Sequence, residues 1–307
     1  MGLDKNVFDV LSVGHLTIDT ISLPDRPNPF VVLGGSVAYV SLVARHLGAR
    51  AAIASKVGYD FPEAYKWWLD QEGINQSNVV KDAQSHTTRF ELKYTNLFER
   101  TLRSDCRAHP ITIQDLSNIP KTEIVHVGPV ANEIGFDELE ELKKRTNAVS
   151  LDPQGLVRSF DDEGRISIQS MTDKRILELV DIFKCSHVEV QAVTGLSDMN
   201  QAIKLIHDGG ARIVIVTLGA KGSIVSIDGA IHSVPACKPD KIVDPTGAGD
   251  AFIGGFLAEY ARGEDASWCS CVGSAAASFV VEGVGPTRVG SCDEIYQRAR
   301  NMCERKI

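Results

Sequence analysis

The sequence contains no apolar run approaching the roughly 18–20 residues that cross a bilayer, and its start, MGLDKNVFDV, has neither the basic nor the apolar block of a secretory leader. Met1-Gly2 opens like a myristoylation signal, but Asn6 stands where Ser or Thr is required. Basic residues are outnumbered: 32 Lys and Arg against 40 Asp and Glu leave a formal net charge of −8. Such a surface repels phosphate backbones, which argues against a nucleic-acid binder lacking a concentrated basic patch. Zinc-knuckle spacing is missing as well. Cys106, Cys185, Cys237 and Cys303 are scattered, Cys269 and Cys271 lie only two apart, and the eight histidines show no paired spacing. An odd total of seven cysteines without a leader points to free thiols in a reducing compartment. The expectation is a cytoplasmic chain that binds neither membrane nor nucleic acid and holds no metal through Cys or His.

What is present is an ordinary globular composition, 43% hydrophobic and 23% charged over 307 residues. That length makes one large α/β domain or two modest ones. Short apolar runs at Val7–Val13, Ala51–Val57, Ile124–Val127, Ala148–Leu151, Ile182–Lys184 and Ile213–Leu218 read as strands. Amphipathic stretches at Val37–Leu47, Phe61–Glu72, Asp137–Thr146, Asp173–Val180 and Met199–His207 read as helices. Alternation of this kind predicts a doubly wound, mainly parallel sheet with helices on both faces. Two β-like segments follow at Ile224–Ile227 and Ala230–Val234, then helices over Gly249–Arg262, Ala266–Val281 and Cys292–Arg305. There is no internal repeat and no low-complexity tract.

Two segments break the rhythm. Pro24, Pro27 and Pro29 mark Leu23–Phe30 as an extended linker. Arg89–Tyr94 alternates strictly between polar and apolar residues, the mark of a strand with one wet face. With Phe98–Arg103 it predicts a hairpin turning near Thr95-Asn96, outside the parallel sheet and placed to act as a lid.

The run Asp244-Pro245-Thr246-Gly247-Ala248-Gly249-Asp250 carries the most chemistry. Gly247 and Gly249 let the backbone curl, and Phe252, Phe256 and Tyr260 continue with helical spacing. A glycine turn opening a helix aims N–H groups outward at the positive end of the helix dipole, where they hold phosphate or a developing oxyanion. Asp250, in the first turn, is either a common helix-start acid or a general base beside that anion hole. Rival glycine signatures fail: Phe252 stands where the dinucleotide fingerprint needs its third Gly, and Gly219-Ala220-Lys221-Gly222 lacks the ending of a P-loop.

DPTGAGDAFIGGF resembles the C-terminal signature of the ribokinase-like (PfkB) sugar and nucleoside kinases, and the resemblance runs from about Gly14 to about Thr287. Gly14…Asp19, Gly34-Gly35-Ser36 with the helix behind it, and Val216–Gly222 match further segments of that family. The resemblance implies a single kinase domain over residues 1–307, with a small β-sheet lid from about 15–25 and 85–105. It makes Asp250 the base that takes the proton of an acceptor hydroxyl, with the N–H groups of Gly247, Ala248 and Gly249 as anion hole. Asp19, Gly34 and Gly35 would hold the acceptor. Ser186, Glu189, Thr217, Gly219 and Gly222 would serve ATP, with Glu189 acting on Mg²⁺ through water. Asp244 and Thr246 match positions that hold a monovalent cation such as K⁺ in some members. A monomer, or a homodimer formed through the lid, is implied.

Three departures bear on the acceptor. Tyr39 replaces the Asn that grips a sugar hydroxyl, and it either packs on its helix or touches the acceptor. Ser186 replaces the Asn of the Asn-x-x-Glu motif. In Leu151–Arg158, Asp152 and Gln154 are placed to reach the acceptor, and Arg158 either reaches the transferred phosphate or is a surface residue. Together these look most like the inositol kinase branch and make myo-inositol the first expectation. A sugar or nucleoside kinase of the same family, with an aromatic slot from Tyr39, Phe30 or Tyr94, is the alternative. A sugar-binding regulator without catalysis is the reading from another class.

Overall fold

The apolar runs from Phe8 to Thr217 align as parallel neighbours because the segments that connect them cover the faces of the sheet. In spatial order the nine-stranded sheet runs Ala230–Val234, Ser223–Ile227, Ile213–Thr217, Ile182–Ser186, Thr146–Leu151, Thr122–Val127, Phe8–Val13, Ala51–Gly58, Asn75–Asp82. Only the first two of these strands pair antiparallel. The computed structural model describes residues 8–97 and 99–303. Val7 of the first expected strand, Phe98 of the expected hairpin, the Met1-Gly2 start and the end of the last expected helix lie outside the described residues.

Both faces are covered, as the alternation predicts. One core packs the Ser36–His46, Ala248–Tyr260, Ala266–Val280 and Cys292–Cys303 helices on Val10, Ile124, Ile182 and Ile213. The other packs the Phe136–Lys143 and Met199–Asp208 helices on Leu11, Val125, Val149 and Val214. The order of connection reverses at Phe8–Val13, whose parallel neighbours Ala51–Gly58 and Thr122–Val127 lie on opposite sides. Such a switch point opens a crevice beyond the carboxyl ends of the strands, where ligands of open α/β sheets bind.

A second sheet of four strands stands apart, in the order Phe30–Gly34, Thr17–Ser22, Arg89–Tyr94, Arg100–Cys106. Its hairpin is the one read from the alternation, but Phe30–Gly34 extends it. The expected linker therefore ends at Pro29, because Phe30 begins a run that pairs with Ile21. Asn75–Asp82 was also unannounced: an edge strand exposed to water needs no apolar run. The segment expected as a helix at Asp173–Val180 is a 3-10 turn, Lys174–Leu179, entered through Asp173, which accepts from Arg175 N.

The cysteines correct the sequence reading. Cys271 and Cys303 form a disulfide, with Cα atoms 6.5 Å apart. Their separation of 32 residues hid the pair, and the packing of the last two helices creates it. Cys106, Cys185, Cys237, Cys269 and Cys292 are free, so the cysteine content no longer argues for a reducing compartment. Among the described residues no helix is long and apolar enough to cross a membrane.

Candidate active site

The glycine turn forms as the sequence predicts. Gly247 adopts φ 76°, and the Ala248–Tyr260 helix follows with Asp250 in its first turn. A side chain at Gly247 would drive its Cβ to 2.2 Å from the Tyr39 ring. Tyr39, 2% exposed, thus packs directly beneath the turn, and its hydroxyl is buried without a hydrogen-bond partner. The ring is packing, and the phenol is an unmet polar group on the cavity. Ala248 N donates to Pro245 O at 3.3 Å, whereas Gly247 and Gly249 donate to no carbonyl among the described residues. Of the three N–H groups expected to form an anion hole, those of Gly247 and Gly249 are thus left without a carbonyl partner.

Facing the turn, Asp19 projects from Thr17–Ser22 and is 5% exposed. The Gly34-Gly35 pair makes its room, since a Cβ at Gly34 would sit 2.1 Å from Asp19 Oδ2. Thr17 Oγ1 donates to Asp19 Oδ1 at 2.6 Å. Burial pushes the Asp19 carboxyl up to about 7, against the pull of Thr17, Arg158 and Arg100. A carboxyl raised in the fold stabilises the fold while neutral and ceases to do so as pH climbs through its folded value. The stability gained by Asp19→Asn should therefore grow from near zero at pH 4 to on the order of 1–4 kcal/mol at pH 8. Urea unfolding of the free protein at several pH values measures it, and a pH-independent difference would refute the raised carboxyl.

Asp19, Tyr39, Gln154, Arg158, Thr246 and Asp250 converge on one cavity of about 50 Å³, roofed by Phe90, Leu92 and Leu102 of the small sheet. Arg158 is no surface residue. It is 9% exposed, its Nη1 donates to Val130 O at 2.7 Å and its Nη2 to Gln154 Oε1 at 2.9 Å. Gln154 Nε2 in turn donates to Asp250 Oδ1 at 3.1 Å. Asp152 does not join them. It is 1% exposed, and Lys184 Nζ donates to its Oδ2 at 2.5 Å. Asp152, expected to reach the acceptor, lies outside the lining of that cavity and is engaged by a buried ammonium.

Lys184 is the site residue that motif reading missed. Burial opposes its charge, but Asp152, Asp250 and Glu189 outweigh that and hold the ammonium above its ordinary value. Its Nζ lies 2.7 Å from where a Cβ on Gly249 would stand, directly under the anion turn. The signal was available, because a lysine inside the apolar strand Ile182–Ser186 demands a buried counter-charge. Tyr94, expected only as an aromatic wall, does more, since its hydroxyl and that of Thr246 are hydrogen-bonded at 2.8 Å. The small sheet is thereby fastened to the catalytic turn.

Toward the antiparallel end of the sheet, Ser186 N donates to Glu189 Oε2 at 2.7 Å and Glu189 N to Ser186 Oγ at 3.3 Å. Burial works against the Glu189 charge, while Lys184 and Ser186 N hold its carboxyl below the usual range. Thr217 ends the next strand, and Gly219 (φ 60°) faces open space. A Cβ at Gly222 would meet Val234 O at 2.1 Å, so a glycine there admits the neighbouring strand. Asp244 is fully buried and accepts from Thr246 N (2.9 Å), Thr246 Oγ1 (2.5 Å) and Gly285 N (2.9 Å). It clasps the glycine turn to the Gly285 loop. Among the described residues no three His, Cys, Asp or Glu side chains form a metal cage. A lone ionised Glu189 fits a divalent ion held mainly by phosphate oxygens and water.

Known proteins resemble this chain in sequence and fold. A cytidine kinase of Thermococcus kodakarensis is 30% identical over 275 residues, 87% of this chain and 94% of that protein. An inositol 3-kinase of Oryza sativa subsp. japonica is 30% identical over 288 residues, 87% of this chain and 68% of its own length. A pyrophosphate-dependent kinase in the ribokinase family, solved with a pyrophosphate analog and myo-inositol, superposes with a TM-score of 0.79 at 23% identity, covering 94% of this chain and 99% of that one. The family model of the pfkB family carbohydrate kinases matches residues 7–291, and to that family this chain belongs.

Proposed function

We propose that the enzyme transfers the γ-phosphoryl group of ATP to a hydroxyl of a small, uncharged polyol, with myo-inositol the first candidate. The observation that carries the acceptor class is the lining of the cavity under the small sheet. Asp19, Arg158 and the unpartnered Tyr39 phenol offer donors and acceptors from several sides. The Phe90 ring carries the Arg158 guanidinium at 5.6 Å, and the Tyr94 hydroxyl is tied to Thr246. A ring with a hydroxyl on every carbon suits such a lining.

Asp250 takes the proton of the acceptor hydroxyl, whose oxygen then attacks the γ-phosphorus in line with departing ADP. The free N–H groups of Gly247 and Gly249, with Lys184 beneath them, stabilise the charge that gathers on the transferred group. Thr217 and Gly219 border the nucleotide. Glu189 holds Mg²⁺ through water, and that ion neutralises phosphate charge when bound. The small sheet, fastened through Tyr94, closes as a lid over one catalytic domain and excludes water. The proposed site of action is the cytoplasm.

A nucleoside acceptor is the second reading, favoured by the 30% identity to the cytidine kinase. It requires the lid to move outward and Arg158 to leave Phe90, freeing that ring to stack a base. Product formation with ATP or pyrophosphate as donor, across myo-inositol, ribose, fructose, adenosine and cytidine, separates the readings. The expected result is ATP as donor and a kcat/KM for myo-inositol about tenfold or more above that for cytidine, about 1.4 kcal/mol of discrimination. A preference for cytidine would replace the acceptor while leaving the chemistry of the site in place.

A further inference from the structure

The sequence places Gln154 at the acceptor, but its two ends are spent on the protein. Arg158 only donates hydrogen bonds, so the oxygen of the Gln154 amide must face it and the nitrogen must face Asp250. The contacts agree: Arg158 Nη2 to Gln154 Oε1 at 2.9 Å, Gln154 Nε2 to Asp250 Oδ1 at 3.1 Å. Oδ1 being occupied, Asp250 is left with Oδ2 for the acceptor proton.

Arg158 is also the first residue of a hairpin, Arg158–Phe160 paired with Ile166–Ile168, which nothing in the sequence rhythm announced. The turn of that hairpin reaches the small sheet. Ser104 N donates to Gly164 O at 2.8 Å, and Arg103 and Arg165 form a β-bridge. At its root, Arg158 O accepts from Asn132 Nδ2 at 3.3 Å, and the guanidinium lies over Phe90 of the small sheet. A continuous line of contacts therefore runs from the outer strand of the small sheet, through the hairpin, to Arg158, Gln154 and the carboxylate of Asp250.

We propose that Gln154 is a positioning residue for Asp250, and that the hairpin makes this positioning conditional on the small sheet being closed. With the sheet down, Arg158 locks the amide in the one orientation that holds Asp250. When the sheet lifts, Phe90 and Gly164 lose their partners, the lock loosens, and the base is no longer set for transfer. ATP is thus protected from water while no acceptor is enclosed. The inference rests on Asp250 being the base, and its test keeps the two apart.

Gln154→Leu and Arg158→Met are compared with the wild type on whichever member of the acceptor panel it phosphorylates, with Asp250→Asn as control. The expected pattern is a fall of about 10- to 100-fold in kcat for each variant, an acceptor KM changed less than about threefold, and a double variant no slower than the worse single one. A tenfold or greater rise in KM with kcat preserved would show that Gln154 grips the acceptor, and would overturn the proposal with the base intact. Full turnover by Asp250→Asn would instead overturn the base. A second measurement needs no acceptor. Replacing residues 161–165 by an Asn-Gly turn keeps a hairpin but removes the atoms that touch Ser104 and Arg103. Amide exchange should then rise about tenfold or more at residues 152–158 and 247–251 in the free protein. Unchanged exchange there would break the link between hairpin and base.

Discussion

Asp250→Asn should lower turnover by about two to four powers of ten while leaving binding of acceptor and nucleotide nearly unchanged. The substitution keeps the shape of the side chain, and the amide oxygen can still accept from Gln154 Nε2, so the contact seen at Asp250 Oδ1 survives. What disappears is the ability to take a proton. Asp250 lies in the first turn of a helix whose inner residues, Ala251 through Ala258, are buried, so the backbone beneath it does not depend on its charge. Unfolding free energy should accordingly stay within about 1 kcal/mol of wild type. Single-turnover product formation with saturating ATP measures the chemical step directly. Turnover within tenfold of wild type would move the base elsewhere, and Asp19 is the other carboxyl that lines the cavity. Asp19→Asn run in parallel separates them, because loss of an acceptor contact raises KM whereas loss of the base lowers kcat.

The parts of this enzyme that were legible in the sequence are those fixed by local rules. Parallel strands buried on both faces must be apolar throughout, so Ala51–Gly58 and Ile213–Thr217 announced themselves. The catalytic turn was legible because only glycine permits φ 76° at Gly247 and the close approach of Tyr39. Edge and cover elements escaped for the opposite reason: Asn75–Asp82 and the Arg158–Ile168 hairpin owe their existence to partners far along the chain. The same holds for pairings within the site. Asp152 looked free until Lys184, 32 residues away, was seen beside it, and Arg158 looked like a surface residue until Val130 and Gln154 were seen to enclose it. Sequence motifs named the candidate groups, and long-range packing decided which of them were already engaged.

Lys184→Met should be the most destabilising single change at the site, by about 3–5 kcal/mol, because it leaves the Asp152 carboxylate buried with no counter-charge. Asp152 is 1% exposed and Lys184 5%, so water cannot take the place of the missing ammonium. Adding Asp152→Asn removes the stranded charge, and the amide oxygen can still accept from Gln154 N, which Asp152 Oδ1 now does at 3.1 Å. The double variant should therefore recover most of the lost stability in urea unfolding. Activity should not recover with it. Lys184 Nζ sits under the Gly249 turn, where it is the one ammonium among Asp152, Glu189 and Asp250. In a buried site a fixed positive charge stabilises developing phosphoryl charge far more than it would in water. A folded double variant is expected to remain about 100-fold or more below wild type in kcat. If turnover returned together with stability, Lys184 would be a structural partner of Asp152 alone, and the anion site would have to work through the Gly247 and Gly249 N–H groups with Arg158.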